Sequence, residues 1–126
     1  MQIDGTEVSA IVGSKLMIED TLRKIESKIQ GAEAIKADRK SELLQLLATL
    51  KSEVANLSKT RPEQAESIAG FTEMSAHEAT REQQNPELLR LSVKGLKSSV
   101  EEFEGSHPKL VQIVNAISNT LSNLGI

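Results

Sequence analysis

The feature that most constrains this chain is the spacing of its aliphatic residues, which recur in steps of three and four. Residues three and four apart lie on one face of an α-helix, so each such run predicts an amphipathic helix. The clearest run has five members on one stripe: Leu43, Leu47, Leu50, Val54 and Leu57. Since this segment is the most apolar of the chain, we expect its helix to lie at the centre of the fold.

The same spacing recurs before and after this segment. The other aliphatic stripes are Ile18, Leu22, Ile25 and Ile29; Leu89, Val93, Leu96, Val100 and Phe103; and Leu110, Val114, Ile117, Leu121 and Leu124. Short connections between amphipathic helices favour antiparallel neighbours. The pattern therefore predicts an all-α fold, an antiparallel helical bundle of four to five helices.

A further segment keeps the spacing but replaces the large side chains with small ones. Its stripe is Ala65, Ala69, Thr72, Ala76 and Ala79. An alanine face allows two helix axes to approach closely, although it buries less apolar area, at about 25 cal/mol per Å². We expect Ile68, Phe71 and Met74 to supply bulk beside this stripe, and Gly70 and Gly95 to mark close helix contacts.

Local signals place the helix ends. Glycine just past a helix often takes a left-handed conformation, which we expect at Gly31, and Gly105 marks the end of the fourth helix. Asparagine, aspartate and threonine are favoured N-caps, and proline is tolerated in a first turn. The predicted caps of the second, third and fourth helices are Asp38, Thr60 and Asn85.

Residues 1–16 lack helical spacing, because their few aliphatic residues stand among glycine and serine. We predict a short non-helical N-terminal extension over residues 1–16, irregular or with short strands, and a helical bundle domain over residues 17–126.

The composition narrows the classes of function. The chain has no cysteine, which excludes disulfides, thiolate nucleophiles and cysteine zinc sites. The chain has only two aromatic residues, a net charge of −3 and no clustered basic face. These features argue against nucleic-acid binding. No secretory signal is visible, and no apolar run reaches the roughly 20 residues that a membrane span needs. We therefore expect a cytoplasmic protein that binds neither nucleic acid nor membrane.

One polar row deserves a test as a chemical site. Glu73, His77 and Arg81 are spaced by four and share a helix face. The zinc-protease pattern is absent, because Arg81 stands where that pattern has its second histidine. The Glu-x-x-His pair of di-iron bundles is absent too, because the residue three positions before His77 is Met74 and not a glutamate. We interpret the row as solvated or partner-facing, and we assign no catalytic, cofactor-binding or metal-binding residue. The alternative is a small-ligand or metal-binding helical protein using Glu73 and His77, or, more weakly, an enzyme with these groups as acid and base.

The second histidine and two charge clusters complete the candidates. We expect His107 to cap or line the turn before Pro108 rather than act as a base. The acidic cluster Glu101, Glu102 and Glu104 and the basic cluster Lys36, Arg39 and Lys40 have opposite charge. The acidic cluster is interpreted as solvated, with a contact to another copy of the chain as the sharper hypothesis.

Several short runs resemble a family of short bacterial helical proteins of unknown function. These are SIAGF at 67–71, SAHEATR at 75–81, NPELL at 85–89, and the ending FEGSHPKL at 103–110 with LSNLGI at 121–126. The resemblance covers about residues 17–126. It implies a bacterial, cytoplasmic helical protein and identifies no active residue.

These observations predict a non-enzymatic helical scaffold or protein-interaction module. Five stripes on one short chain leave apolar surface to spare, and such patches mark interfaces. We therefore expect self-association through aliphatic helix faces, as a homodimer, or binding of another helical protein, with no cofactor and no small-molecule substrate.

Overall fold

The computed structural model describes the backbone of residues 5–124 and the side chains of residues 16–124. Within this part the chain forms five α-helices and one 3₁₀ turn, with no β-strand. The helices are α1 (Gly5–Gly31), α2 (Ala37–Leu57), α3 (Pro62–Thr80), α4 (Pro86–Ser98) and α5 (Pro108–Leu124), and the 3₁₀ turn is Glu101–Phe103. The predicted all-α bundle is confirmed.

Consecutive helices reverse direction, so α1, α3 and α5 run one way and α2 and α4 run the other. Three contacts between distant parts of the chain record this arrangement. Lys28 near the end of α1 lies beside His77 near the end of α3. Gln84, which follows α3, bonds to the end of α5, and Arg61, which precedes α3, pairs with Glu102 before α5.

The aliphatic stripes form one core, as their spacing predicts. The stripe residues of α1 and α2 are all buried, and so are those assigned to α4, including Val100 and Phe103 beyond its end. On α5 the stripe is buried except for Leu124, which is partly buried. The alanine stripe of α3 is buried along its whole length, from Ala65 to Ala79.

The central helix is α3, not the leucine-rich α2. Among the described helices, α3 packs against each of the other four, whereas α2 packs mainly against α1, α3 and α5. The prediction that the most apolar helix lies at the centre is therefore wrong. A helix surrounded by four others needs a narrow cross-section, which alanine provides, since methyl groups let neighbouring axes come closer than leucine would.

The helix ends follow the predictions in part. Asn85 caps α4, because its Oδ1 accepts hydrogen bonds from the backbone N–H groups of Glu87 and Leu88, both at 3.1 Å. Asp38 and Thr60 are not caps: α2 and α3 begin after Lys36 and Arg61, neither of which makes a side-chain cap bond. The Thr60 hydroxyl instead donates back to the carbonyl of Leu57.

Two other boundary predictions differ from the structure. Gly31 does not take a left-handed conformation, since no described residue has a positive φ. α4 ends at Ser98, before Gly105, and the chain continues through the 3₁₀ turn that carries Phe103 into the core.

The N-terminal segment is helical from Gly5, where α1 begins. The sequence pattern predicted a non-helical segment through residue 16, whereas the backbone of residues 5–16 continues α1 toward the N-terminus. Residues 1–4 lie outside the described part, and the division into an extension and a bundle domain stays a prediction. Over the described residues, none of the helices combines the length and apolar character of a membrane span.

Candidate functional site

The polar row on α3 faces solvent. Glu73 and His77 are both exposed. Arg81 turns back along its own helix end, where its Nη1 donates to Glu78 Oε1 at 2.9 Å. The row therefore does not converge on a shared point.

His77 already has a cationic neighbour on α1. The Nδ1 atom of His77 lies 3.1 Å from Nζ of Lys28. An ammonium group can only donate, so Nδ1 accepts in this contact. Among the described residues, no group of three metal-ligating side chains comes together, so the alternative on Glu73 and His77 has no third ligand there.

The second histidine lines a turn, as predicted. His107 Nδ1 lies 2.9 Å from Ser106 Oγ, and its ring meets the Phe103 ring edge-on with centroids 5.5 Å apart. The guanidinium of Arg61 also lies over the Phe103 ring, 5.5 Å from its centroid. Nη2 of Arg61 donates to Glu102 Oε2 at 3.3 Å. Sequence reasoning missed Arg61, which joins the α2–α3 connection to the 3₁₀ turn through a cation–π contact.

The acidic and basic clusters lie at opposite ends of the bundle. The basic cluster is at the α1–α2 connection, and the acidic cluster is at the connection before α5. The clusters therefore cannot meet within one chain. Part of their charge is used locally, because Glu102 pairs with Arg61 and Lys40 Nζ donates to the carbonyl of Gln30 at 3.0 Å.

An open cleft lies where α1, α3 and α5 end. Its volume is about 660 Å³, and its lining includes Ile35, Arg81, Glu82 and Gln84. The Gln84 amide nitrogen donates to the carbonyls of Ala79 and Leu124, at 2.8 and 3.2 Å. Arg81 is engaged by Glu78, so the cleft's polar side chains mainly stabilise the helix ends around it.

A different surface stands out by its apolar side chains. Met74 on α3 is 52% exposed, and Leu88 and Leu91 on α4 are 42% and 49% exposed. The half-buried Phe71 of α3 packs against Gly95 of α4, so these two residues lie at about the same height along the two helices. We call Phe71, Met74, Leu88 and Leu91 the α3/α4 apolar face. Two other large exposed hydrophobic residues, Leu16 and Met17, lie on α1.

The position of this face follows from helix geometry. α3 and α4 are antiparallel, and each residue advances a helix by about 1.5 Å. Counting from the contact of Phe71 with Gly95, Met74 and Leu91 lie at nearly the same height, about 4.5 and 6 Å away in the same direction. Met74 was expected to supply bulk beside the alanine stripe, and that expectation is wrong because its side chain points outward.

The sequence carries a signal for this face. Leu88 and Leu91 are three residues apart, and both fall outside the buried stripe of α4. A second apolar pair at helical spacing indicates a second contact face. Gly95 was predicted to mark a close helix contact, which is confirmed, whereas Gly70 is exposed and has no atom near its missing Cβ.

The charges beside the apolar face differ between its two helices. α3 carries four glutamates and no lysine or arginine. On α4, Arg90, Lys94 and Lys97 outnumber the single Glu87. Arg90 donates to Glu87 through Nη2 at 2.6 Å and Nε at 3.1 Å, and this hydrogen bonding, with the charge of Arg90, holds the pKa of Glu87 below its usual value.

Comparison with known proteins gives one match. A family model described as a domain of unknown function (DUF4404) matches residues 43–126, from the first leucine of the α2 stripe onward. The match is shorter than the span of residues 17–126 over which the resemblance was seen. No curated protein and no solved structure matches the chain.

Proposed function

We propose that this chain, which belongs to the family of the domain of unknown function DUF4404, is a non-enzymatic helical interaction module that self-associates through its α3/α4 apolar face. Membership of a family of unknown function assigns no activity. The proposal therefore rests on which surfaces of the bundle are used by its own core and which are left over.

The observation that carries the proposal is the exposure of Met74, Leu88 and Leu91 on one helix pair. The aliphatic stripes of the sequence are buried in the core of the single chain, with Leu124 partly buried at the end of α5. Apart from Leu16 and Met17 on α1, the large exposed apolar side chains of the described residues form a smaller face around the half-buried Phe71. Covering such side chains gains about 25 cal/mol per Å² of apolar area removed from water, which favours a partner.

The polar groups support a non-enzymatic role. Glu73 and His77 point to solvent, and the Nδ1 atom of His77 is engaged by Lys28. The ring of His107 packs edge-on against Phe103 just before α5 begins. A general base needs a reacting proton within hydrogen-bond reach in a plausible pose, and neither histidine lines the cleft at the ends of α1, α3 and α5. The lack of cysteine supports a reducing, cytoplasmic setting, and the resemblance supports a bacterial source; both belong to the proposal.

Sedimentation velocity at two concentrations about a hundredfold apart tests self-association directly, since mass action shifts a dimer across such a range. We expect the sedimentation coefficient to rise with concentration. Leu91→Gln removes an exposed apolar side chain from the face and should weaken association about tenfold or more.

Met17→Gln is the matched control, because Met17 is exposed to a similar degree on α1, away from the face. We expect it to associate like the natural protein. A chain that stays monomeric at both concentrations would overturn the proposal, and equal effects of the two substitutions would remove the α3/α4 apolar face as its location.

A further inference from the structure

We propose that the α3/α4 apolar face binds the same face of a second copy in one arrangement, with α3 of each subunit lying across α4 of the other. This inference rests on the proposed self-association and adds its geometry. It is carried by the opposite charges of the two helices and by the level at which Phe71 and Gly95 meet.

The charges of α3 and α4 select which helix faces which. α3 contributes Glu63 and Glu73 to the surface and has no lysine or arginine. α4 contributes the exposed Lys94. Its Arg90 is already paired with Glu87, and Nζ of its Lys97 donates to Oδ1 of Asn119 on α5. If α3 lay on α3 of the partner, acidic side chains would oppose one another. If α3 lies on α4 of the partner, each acidic side faces a basic one, which favours this pairing and suppresses the other.

The symmetry of the pairing follows from the antiparallel arrangement of α3 and α4. A two-fold axis that runs parallel to both helices and between them places α3 of one subunit over α4 of the other. Such a rotation leaves every residue at its own height along the axis. Residues of α3 and α4 that share a height within one chain therefore face each other between the two chains.

The contact of Phe71 with Gly95 supplies those heights. Glu73 lies about 3 Å beyond Phe71, and Lys94 lies about 1.5 Å beyond Gly95 in the same direction, because the two helices are antiparallel. Glu73 of one subunit is therefore nearly level with Lys94 of the partner subunit. Neither residue forms an ion pair within the described part of its own chain.

The apolar residues fit the same register. Met74 and Leu91 share a height to within about 1.5 Å, so Met74 of each subunit meets Leu91 of the partner subunit near the axis. The methionine side chain is unbranched and flexible, so it can adjust its conformation to pack against an aliphatic neighbour. The Phe71 ring fills the space over Gly95. In the proposed dimer the second subunit packs on this ring, which lies between α3 and α4. Apolar contacts at the centre with ion pairs at the rim are the usual anatomy of an interface.

The test is a pair of charge reversals, Glu73→Lys and Lys94→Glu, analysed separately and as an equimolar mixture by sedimentation. Both side chains are exposed, and circular dichroism will check that each variant keeps its helical content. In the proposed dimer each variant alone places two like-charged pairs at the interface, so we expect association about tenfold weaker than for the natural protein. In the mixed dimer both pairs are opposite in charge again, so we expect the mixture to recover the natural affinity.

Glu33→Lys and Lys59→Glu are the matched controls, since both residues are exposed in connections away from the face. These variants and their mixture should associate like the natural protein. If the natural protein dimerises but the Glu73 and Lys94 variants do so equally well, or if their mixture shows no recovery, the arrangement is overturned while the proposed self-association stands. A natural protein that is monomeric throughout overturns both.

Discussion

The ring of Phe71 on α3 lies directly against Gly95 on α4. A Cβ atom at position 95 would stand 2.5 Å from Phe71 Cε1 and 2.7 Å from Phe71 Cδ1, distances that real Cβ contacts do not reach. Gly95 has an ordinary helical conformation, since no described glycine has a positive φ. The glycine is therefore needed for space and not for backbone freedom.

Gly95→Ala should destabilise the protein by about 1–3 kcal/mol, because the new methyl group must displace a ring that packs against the core. Gly70→Ala on α3 is the control. Gly70 is exposed with no atom within 4 Å of a Cβ, so its replacement should stabilise the protein by about 0.5–1 kcal/mol through helix propensity alone. Urea denaturation of both variants measures the difference.

The same experiment in a Phe71→Ala background isolates the cause. Without the ring, Gly95→Ala should lose its cost and behave like Gly70→Ala. A Gly95→Ala variant that is more stable than the natural protein, with Phe71 in place, would show that the ring moves aside freely and that the contact does not require glycine.

The narrow face of α3 leads to a second prediction. Ala76 is 1% exposed on the stripe that faces the neighbouring helices. Ala76→Leu adds three carbon atoms to this packed site and should cost about 1–3 kcal/mol or more, because α3 cannot move away from one neighbour without meeting another. Ala48→Leu on the exposed side of α2 should change the free energy of unfolding by less than about 0.5 kcal/mol. Equal effects at the two positions would mean that α3 is loosely held.

Much of the fold could be predicted because apolar spacing reports burial directly. The stripes from Ile18 to Leu121 are buried where the spacing placed them, and even the alanine stripe was recognisable by its period. Centrality could not be predicted in the same way. Spacing shows which face of a helix is covered, but the number of neighbours depends on how the helices are arranged, and α3 is central because its side chains are small rather than because they are strongly apolar.

The candidate surface was harder to predict than the core. Met74 has the same side-chain chemistry as a core residue, and only its angle around α3 relative to Ala76 turns it outward. Leu88 and Leu91 belong to a helix whose stripe was already complete, so their exposure follows from position and not from residue type. The predicted cap of α3 failed for a local reason: α3 begins at Pro62, one residue later than a cap at Thr60 would place it, and the Thr60 hydroxyl bonds backward to Leu57 instead of forward into α3.

The cap of α4 gives a third prediction. The Asn85 side chain satisfies two backbone N–H groups at the helix start. Asn85→Ala should cost about 1 kcal/mol, since these donors lose their partner in the folded state. Thr60→Ala is the control, because the Thr60 hydroxyl makes a single long hydrogen bond to the described residues, at 3.4 Å, to the carbonyl of Leu57. We expect its effect on thermal stability to be clearly smaller, and the reverse order would contradict the assignment of the caps.

The exposed histidine of α3 gives a fourth prediction. His77→Ala removes the contact with Lys28, which lies at the surface, and should change the free energy of unfolding by less than about 0.5 kcal/mol. Added Zn²⁺ should leave the melting temperature of the natural protein unchanged, since a specific ligand would raise it by mass action. A rise with Zn²⁺ that disappears in His77→Ala would favour the metal-binding alternative over the interaction module.

The Glu87–Arg90 pair gives the last prediction, which concerns pH. Hydrogen bonds from Arg90, and then its charge, lower the pKa of the Glu87 carboxyl in the folded protein. A carboxyl with a lowered folded-state pKa stabilises the fold above its unfolded pKa and loses that contribution as the pH falls through its folded pKa. Arg90→Gln should therefore raise the pH at which Glu87 titrates, as followed by the chemical shift of its carboxyl carbon. Lys97→Gln removes a positive charge from the same helix, far from Glu87 along the chain, and should leave that titration in place, whereas an equal shift in both variants would mean that general surface charge and not the hydrogen-bonded pair lowers the pKa.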